Sequence, residues 1–371
     1  MIVGVPKEVK NNEYRVGLTP DQVFELKKFG HQVLIEKNAG HGIGFLDDHY
    51  VMAGAEIVDH AKHIFERSNL VVKVKEPQPE ECQMLKAGQT LFTYLHLAPD
   101  PIQTQALLKS HATCIAYETV TSSTGRLPLL APMSEVAGRM SIQAAAHHLE
   151  KSQGGRGLLL AGVPGVSAAQ VVILGAGVVG SSALQIAVGM GADVTIIDKN
   201  IERLRELDAL YGNRIHTLYS NTSNIERAVI NADVVIGSVL IPGASAPKLV
   251  SKLLVSKMHP GSVLVDVAID QGGCFETSRP TTHQDPTYLV DDVIHYCVAN
   301  MPGAVARTST IGLTNATMPF VLDLANLGTE AALTRDHHLM NGLNIYQGHV
   351  CCKAVAIAQG LDYVDPKTLI H

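Results

Sequence analysis

Gly175, Gly177 and Gly180 stand in Val171-Val172-Ile173-Leu174-Gly175-Ala176-Gly177-Val178-Val179-Gly180, a β-branched run that breaks into G-x-G-x-x-G. An apolar helical segment follows, and a second apolar run, Val194-Thr195-Ile196-Ile197, stops at Asp198. That order is what a dinucleotide-binding β-α-β unit needs. Gly175 allows the tight turn, Gly177 lets backbone approach a pyrophosphate, and Gly180 brings the helix close to the strand. The helix beginning near Val178 offers unpaired N–H groups and a positive dipole end to phosphates. Asp198 lies 23 residues beyond Gly175, close to the ~20 expected of a ribose-binding acid. A carboxylate there accepts from a 2′-hydroxyl and repels a 2′-phosphate, which favours NAD over NADP. Lys199 and Arg203 lie nearby and can blunt that preference; their plainer reading is solvated charge.

Four further polar residues stand where apolar runs stop. Lys75 ends Val71-Val72-Lys73-Val74-Lys75, just before the turn at Glu76-Pro77. A two-residue period puts Lys73 on the same face, and for Lys73 a lysine snorkelling at a strand edge is the preferred reading. His96 lies in the otherwise apolar Leu91-Phe92-Thr93-Tyr94-Leu95-His96-Leu97-Ala98. A single such histidine is more often a satisfied core residue than a catalyst. Its place beside another strand-end polar residue brings the two readings level. Arg15 follows the first apolar run in Asn11-Asn12-Glu13-Tyr14-Arg15-Val16. A guanidinium there can grip a carboxylate through two hydrogen bonds, or simply be a solvated loop arginine. Asp270 closes Val263-Leu264-Val265-Asp266-Val267-Ala268-Ile269, where carboxylates lie near a cofactor; Asp266 reads as structural. There is no G-x-S-x-G, H-E-x-x-H or P-loop, and adjacent His147 and His148 make a poor metal pair, so no metal is expected.

The elements that position these residues alternate. Expected strands are Ile2–Val5, Gln32–Ile35, Leu70–Val74, Thr90–Phe92 and Thr113–Ala116, and expected helices Pro20–Phe29, His60–Glu66 and Asp100–Ser110, which implies a parallel sheet with helical crossovers. Met133–Ser152 reads as one long helix, and 154–165 as a glycine-rich loop or hinge. Beyond the nucleotide unit, strands are expected near Ile215–Thr217, Asp233–Ile236, Ser262–Val267 and Ile294–Ala299, and the stretch from Thr308 is helical in pattern. The fold class is therefore α/β, with two Rossmann-like domains: residues 131–306 form a nucleotide-binding domain inserted into a discontinuous substrate domain of residues 1–130 and 307–371. A small substrate is expected to meet the nicotinamide in a cleft between them. Hydrophobic residues make up 46% and charged residues 17%, enough apolar surface for large cores and against disorder. A net charge of −6 with no basic run argues against a nucleic-acid partner. The six cysteines form no C-x-x-C pair and read as buried free thiols of a reducing compartment. The first residues lack a signal peptide's basic start and apolar core, no apolar run reaches membrane-spanning length, and the expected location is cytoplasmic.

Taken together, several stretches resemble the alanine dehydrogenase and transhydrogenase alpha-subunit family, and alanine dehydrogenase in particular. They are Gly4-Val5-Pro6-Lys7-Glu8 with Asn11-Asn12-Glu13-x-Arg15-Val16, Val74-Lys75-Glu76-Pro77, Phe92–Ala98, Leu130-Ala131-Pro132-Met133-Ser134-Glu135-Val136-Ala137-Gly138-Arg139, Asp270-Gln271-Gly272-Gly273-Cys274-Phe275-Glu276 and Val298-Ala299-Asn300-Met301-Pro302. The resemblance implies that Arg15 and Lys75 bind the substrate carboxylate and that His96 and Asp270 are the acid–base pair. It places Ser134, Val178, Asp198, Arg203, Ser220, Val239, Leu240, Val267, Ala268, Ile269, Val298, Asn300 and Met301 around NAD, beside the three glycines. Many relatives have lysine where this chain has Arg203. The implied reaction is reversible oxidative deamination of L-alanine to pyruvate and ammonium, with glyoxylate as a further acceptor, by a homohexamer. The rival readings are a transhydrogenase-type subunit, which tends to carry an Arg-Gln-containing loop where this chain has Ala131–Glu135, a saccharopine-type dehydrogenase, and a non-catalytic NAD sensor, which would lack Lys75, His96 or Asp270.

Overall fold

A computed structural model of the chain describes residues 1–239 and 246–370. It divides into two compact units. One is Met1–Met133 with the chain from Val305 onward, and the other is Ser134–Ala304. In chain order the strands are β1 (Ile2–Val5), β2 (Gln32–Glu36), β3 (Glu56–Val58), β4 (Leu70–Val72), β5 (Thr90–Thr93), β6 (Thr113–Ala116), β7 (Gln170–Leu174), β8 (Asp193–Asp198), β9 (His216–Tyr219), β10 (Val234–Gly237), β11 (Val263–Asp266), β12 (Thr287–Val290), β13 (Val293–Tyr296), β14 (Leu343–Tyr346) and β15 (His349–Val350).

The two units repeat one plan. In the first, the sheet order is β15-β14-β6-β5-β4-β1-β2-β3; in the second it is β12-β13-β11-β10-β7-β8-β9. Counting strands within each unit, both follow the doubly wound order of a Rossmann fold, in which the first strand lies centrally and later strands are added on either side. Both sheets are parallel through their central strands and gain antiparallel pairing at one edge only. Strands covered by helices on both faces read as continuous apolar runs, as Leu70–Val72 and Val234–Gly237 do, with every residue buried. The order in which strands are added reverses between β1 and β4 in the first unit and between β7 and β10 in the second, although both pairs are parallel. Ligands of such sheets gather beyond the strand C-termini at those two points. Arg15 and Lys75 follow β1 and β4; the glycine loop and Val239 follow β7 and β10.

Short helices are fixed by local chemistry. Asp100 accepts from the Gln103 N–H at 2.9 Å and caps Pro101–Ser110, which ends at left-handed His111. The expected long helix runs Ala131–His148, and Lys151–Gln153 is a separate turn closed by left-handed Gly154. The expectation of helix throughout the C-terminal stretch is corrected. After the helix Ala306–Leu327 the chain returns as β14 and β15, and β14 pairs antiparallel with β6. Leu-Asn-Ile-Tyr is four residues long, too short for a clear period, and its strand character comes from the sheet edge it completes. The short strands β3 and β12 went unread for the same reason.

Candidate active site

In the second unit the glycine loop is built as its spacing required. Gly175 has φ +102°, a left-handed conformation that other residues rarely take. A Cβ on Gly180 would sit 1.8 Å from the Gly175 carbonyl oxygen, so only a hydrogen lets the helix Val178–Gly189 approach. Among the described residues, a Cβ on Gly177 would meet nothing within 4 Å, and no side chain caps that helix. The loop is thus an open backbone cradle at a helix N-terminus, the donor set a pyrophosphate takes. Val178, in the first helical turn, is exposed. Gly180→Ala is expected to push the loop outward at a cost of about 1–3 kcal/mol and to weaken NADH binding about 10-fold or more. Fluorescence titration with NADH checks it, and unchanged affinity would refute the packing argument.

Asp198 ends β8 with its carboxylate fixed. Oδ2 accepts the Ala176 N–H at 2.6 Å and Oδ1 accepts the Asn200 N–H at 2.7 Å. Each oxygen keeps acceptor capacity for a ribose hydroxyl. Arg203 is partly exposed but is more than a solvated charge. Its Nε donates to the Ala176 carbonyl at 3.0 Å, Nη2 to Ser181 Oγ at 2.7 Å, and Nη1 pairs with Glu206 at 2.5 Å. It braces the glycine loop from behind. Ser220 follows β9 and donates its N–H to the Asp198 carbonyl at 2.9 Å. Val239 lies beside Gly175. Leu240 lies outside the described residues.

Val267, Ala268 and Ile269 leave β11 in a turn held by Asp266. That buried carboxylate accepts N–H bonds from Ala268 (3.2 Å), Cys274 (2.8 Å) and Phe275 (3.3 Å), and a hydroxyl bond from Ser278. Burial raises its pKa, and those donors oppose the rise. Asp266 is structural, as read. The turn leaves Asp270 exposed on the single 3-10 turn Ile269–Gln271. Val298 is buried after β13, Asn300 is left-handed at φ +64° with its carbonyl 3.0 Å from His283 Nε2, and Met301 begins the next short helix. Ser134 is half-buried in the first half of the long helix.

The first unit gathers the remaining candidates. Arg15 is buried, which corrects the solvated reading. Glu13 takes its Nε and Nη2 at 2.6 Å each, and Nη1 is 3.2 Å from Met133 Sδ. Burial alone would lower the guanidinium pKa; the Glu13 hydrogen bonds and charge outweigh it and raise it. Lys73 is also corrected. The strand stops at Val72, so the two-residue period no longer applies beyond it, and Lys73 is 0% exposed. Its Nζ lies 2.7 Å from Glu81 and 3.3 Å from Glu8. Glu8 also accepts the Val74 N–H at 2.7 Å, which holds the segment carrying Lys75. Lys75 is partly exposed, with Nζ 3.7 Å from Glu76, and Glu76 pairs with Lys10 as well. Thr93 donates its hydroxyl to the Lys75 carbonyl at 2.9 Å.

His96 follows β5 with a half-exposed side chain and φ +51°. Its ring stacks parallel on Tyr94, centroids 5.8 Å apart. The Tyr94 hydroxyl donates to the Leu129 carbonyl at 2.6 Å, and burial pushes its pKa up. Glu13, Glu118 and the Glu8–Lys73–Glu81 cluster were missed by sequence reasoning. Glu13 alone had a local signal, two residues before Arg15. A cavity of ≈ 530 Å³ opens beside the same loop, lined by Lys7 to Tyr14 and by Asn38, Ala39, His41 and Gly42. None of Arg15, Lys75 or His96 lines it, so the candidate chemistry is not placed there.

Two family models match the chain: "Alanine dehydrogenase/PNT, N-terminal domain" over residues 4–137 and "Alanine dehydrogenase/PNT, C-terminal domain" over residues 141–353. The alanine dehydrogenase of Halomonas elongata is 57% identical over 370 residues, covering 100% of each chain. A solved L-alanine dehydrogenase superposes with TM-score 0.94 at 53% identity, covering 97% of this chain and 99% of the other. A solved transhydrogenase from Sinorhizobium meliloti reaches TM-score 0.81 at 24% identity, covering 95% and 100%, and shares the fold.

Proposed function

The chain belongs to the alanine dehydrogenase/PNT family, and from that premise we infer that it is an NAD-dependent L-alanine dehydrogenase, converting alanine reversibly to pyruvate and ammonium. The observation that carries this reading is full-length similarity to alanine dehydrogenases at more than half identity, together with an open glycine cradle and a fixed ribose acid.

We assign the roles as follows. Arg15 and Lys75 hold the substrate carboxylate. Glu13 fixes the plane of the guanidinium, so the substrate enters against an arginine already oriented. When bound, NAD would supply the acceptor for the hydride of the alanine Cα, which would leave the substrate an iminium. His96 and Asp270 then handle protons. One of them takes a proton from the water that adds to the iminium carbon, and a proton returned to the amine lets ammonia leave the carbinolamine as pyruvate forms. Histidine suits this because its charge changes near neutral pH. Gly175, Gly177, Val178 and Gly180 receive the pyrophosphate on backbone N–H groups. Asp198 takes the ribose. Ser134, Ser220, Val239, Leu240, Val267, Ala268, Ile269, Val298, Asn300 and Met301 line the rest of the nucleotide site, with Arg203 bracing its loop. Residues 1–130 and 307–371 serve as the substrate domain, and residues 131–306 as the NAD domain.

Selection for NAD follows from Asp198. Arg203 commits three of its five N–H groups to Ala176, Ser181 and Glu206, which holds it against the loop and supports a site with a weak grip on a 2′-phosphate. Asp198→Ala is expected to lose a charged hydrogen bond of about 1.5–3 kcal/mol. That narrows the NADH-over-NADPH ratio of kcat/KM about 10–100-fold; an unchanged ratio would remove Asp198 as selector.

No helix among the described residues is long and apolar enough to cross a membrane. We further propose a cytoplasmic homohexamer with no nucleic-acid partner, the last from the net charge of −6. The test of the activity is NADH oxidation with pyruvate, alone and with ammonium, beside parallel reactions with NADPH and with glyoxylate. Ammonium-dependent turnover on pyruvate establishes it. NADH binding without such turnover on any keto acid would refute it.

A further inference from the structure

We propose that Glu118 is the positioning residue of His96: its carboxylate pins the histidine backbone in a left-handed turn and faces ring Nδ1, leaving Nε2 to exchange protons with substrate. This rests on His96 acting as an acid–base group.

The placement begins in the sheet. β5 and β6 pair in parallel register, Thr93 opposite Ala116. The residues just beyond therefore leave the sheet side by side: Tyr94, Leu95 and His96 from one strand, Tyr117 and Glu118 from the other. Glu118 sits on the single 3-10 turn Tyr117–Thr119. Its Oε1 accepts the His96 N–H at 2.6 Å and the Leu95 N–H at 3.2 Å, and Oε2 accepts the Leu95 N–H at 3.2 Å. The same Oε1 lies 3.9 Å from His96 Nδ1.

A non-glycine residue in the left-handed region persists only where its surroundings over-determine it. Here two N–H groups on one carboxylate do so, and the Tyr94 ring closes the other side. Tyr94 is itself fixed edge-on against Tyr117, centroids 5.1 Å apart. The groups facing the imidazole and its stacked partner are thus Glu118 from the turn after β6, Tyr94 from its own strand end, and Arg15, whose charge reaches the Tyr94 phenol. Because Oε1 is tied to the His96 backbone, it is held beside Nδ1. A partner on one ring nitrogen decides which nitrogen is left for chemistry.

Glu118→Gln keeps an acceptor for the two N–H groups and removes the charge; Glu118→Ala removes both. In Glu118→Gln the loss is expected in kcat for alanine oxidation, with KM for alanine within about two-fold, a split that a loosened substrate site would not give. kcat is expected to fall about 10-fold, and about 100-fold in Glu118→Ala, with NADH affinity unchanged in both. A ¹³C,¹⁵N-histidine NMR spectrum at one pH, with His96 assigned by its loss in His96→Ala, reads the ring tautomer without turnover, and Glu118→Gln is expected to change the His96 signals. In the His96→Ala background, adding Glu118→Gln is expected to change nothing further. An unchanged kcat and unchanged His96 ring signals in Glu118→Gln would overturn the proposal, as would an equal loss of rate in the His96→Ala background. Failure of the underlying reading shows separately, as full turnover in His96→Ala.

Discussion

His96→Ala is expected to lower turnover in both directions by about 10²–10⁴-fold while leaving NADH affinity within a factor of about two. The side chain belongs to the first unit, in the turn after β5. The glycine loop, Asp198 and the Asp270 turn belong to the second. A change that empties the proposed acid–base position is therefore expected to leave the nucleotide cradle as it is. Stability is expected to change little, because the ring is half exposed and the substitution removes little beyond its parallel stack on Tyr94. Alanine keeps the Cβ, so it inherits the backbone strain at φ +51°. His96→Gly relieves that strain and serves as the control. Equal losses in the two variants assign the effect to the imidazole. Steady-state kinetics beside fluorescence titration with NADH reads both quantities. A fall of less than about 10-fold, or a matching loss of NADH affinity, would remove His96 from the proton-transfer role.

The chemistry that travels along the chain was legible, and the chemistry that crosses it was not. G-x-G-x-x-G and its acid lie within one β-α-β unit, so spacing alone located Gly175, Gly177, Gly180 and Asp198. Their geometry is what local sterics require, down to the Gly180 position that admits no Cβ. Apolar runs marked β1, β5 and β6 to within a residue. Three-residue β3 and the β14–β15 hairpin escaped because short strands take their conformation from the partner they pair with. The same logic governs the site. Glu8 meets Lys73 across 65 residues and Glu118 meets His96 across 22, and no local pattern announces either meeting. Lys73 therefore read as a strand-edge lysine, though it is buried between two carboxylates.

Lys73→Met is expected to destabilise the protein by about 3–5 kcal/mol at neutral pH, since it strands two carboxylates that burial has stripped of water. Glu8 and Glu81 are nearly as buried as the lysine, at 2% and 5% side-chain exposure. They also hold backbone: Glu8 accepts the N–H groups of Val74 and Lys75, and Glu81 accepts that of Gln78. The sign of the pH dependence follows from the shifts. Burial opposes the charge of Lys73, but Glu8 and Glu81 outweigh it and raise its pKa above 10.5. Its stabilisation is therefore complete below that value and is lost only as pH rises through the raised one. Burial raises the pKa of Glu8 above 4.5, against the pull of Lys73. A raised carboxylate erodes stability as pH climbs through that window, because the folded state holds the proton longer. Removing Lys73 lets the Glu8 pKa rise further. The gap between wild type and variant should then be widest near and above neutrality and should narrow towards about pH 5. Urea unfolding at equal protein concentration across that range measures it. Replacing the whole cluster, as Lys73→Met with Glu8→Gln and Glu81→Gln, is expected to recover most of the loss, because no charge is left stranded. A loss below about 1 kcal/mol, or a gap that widens as pH falls, would show that the cluster does not depend on its lysine.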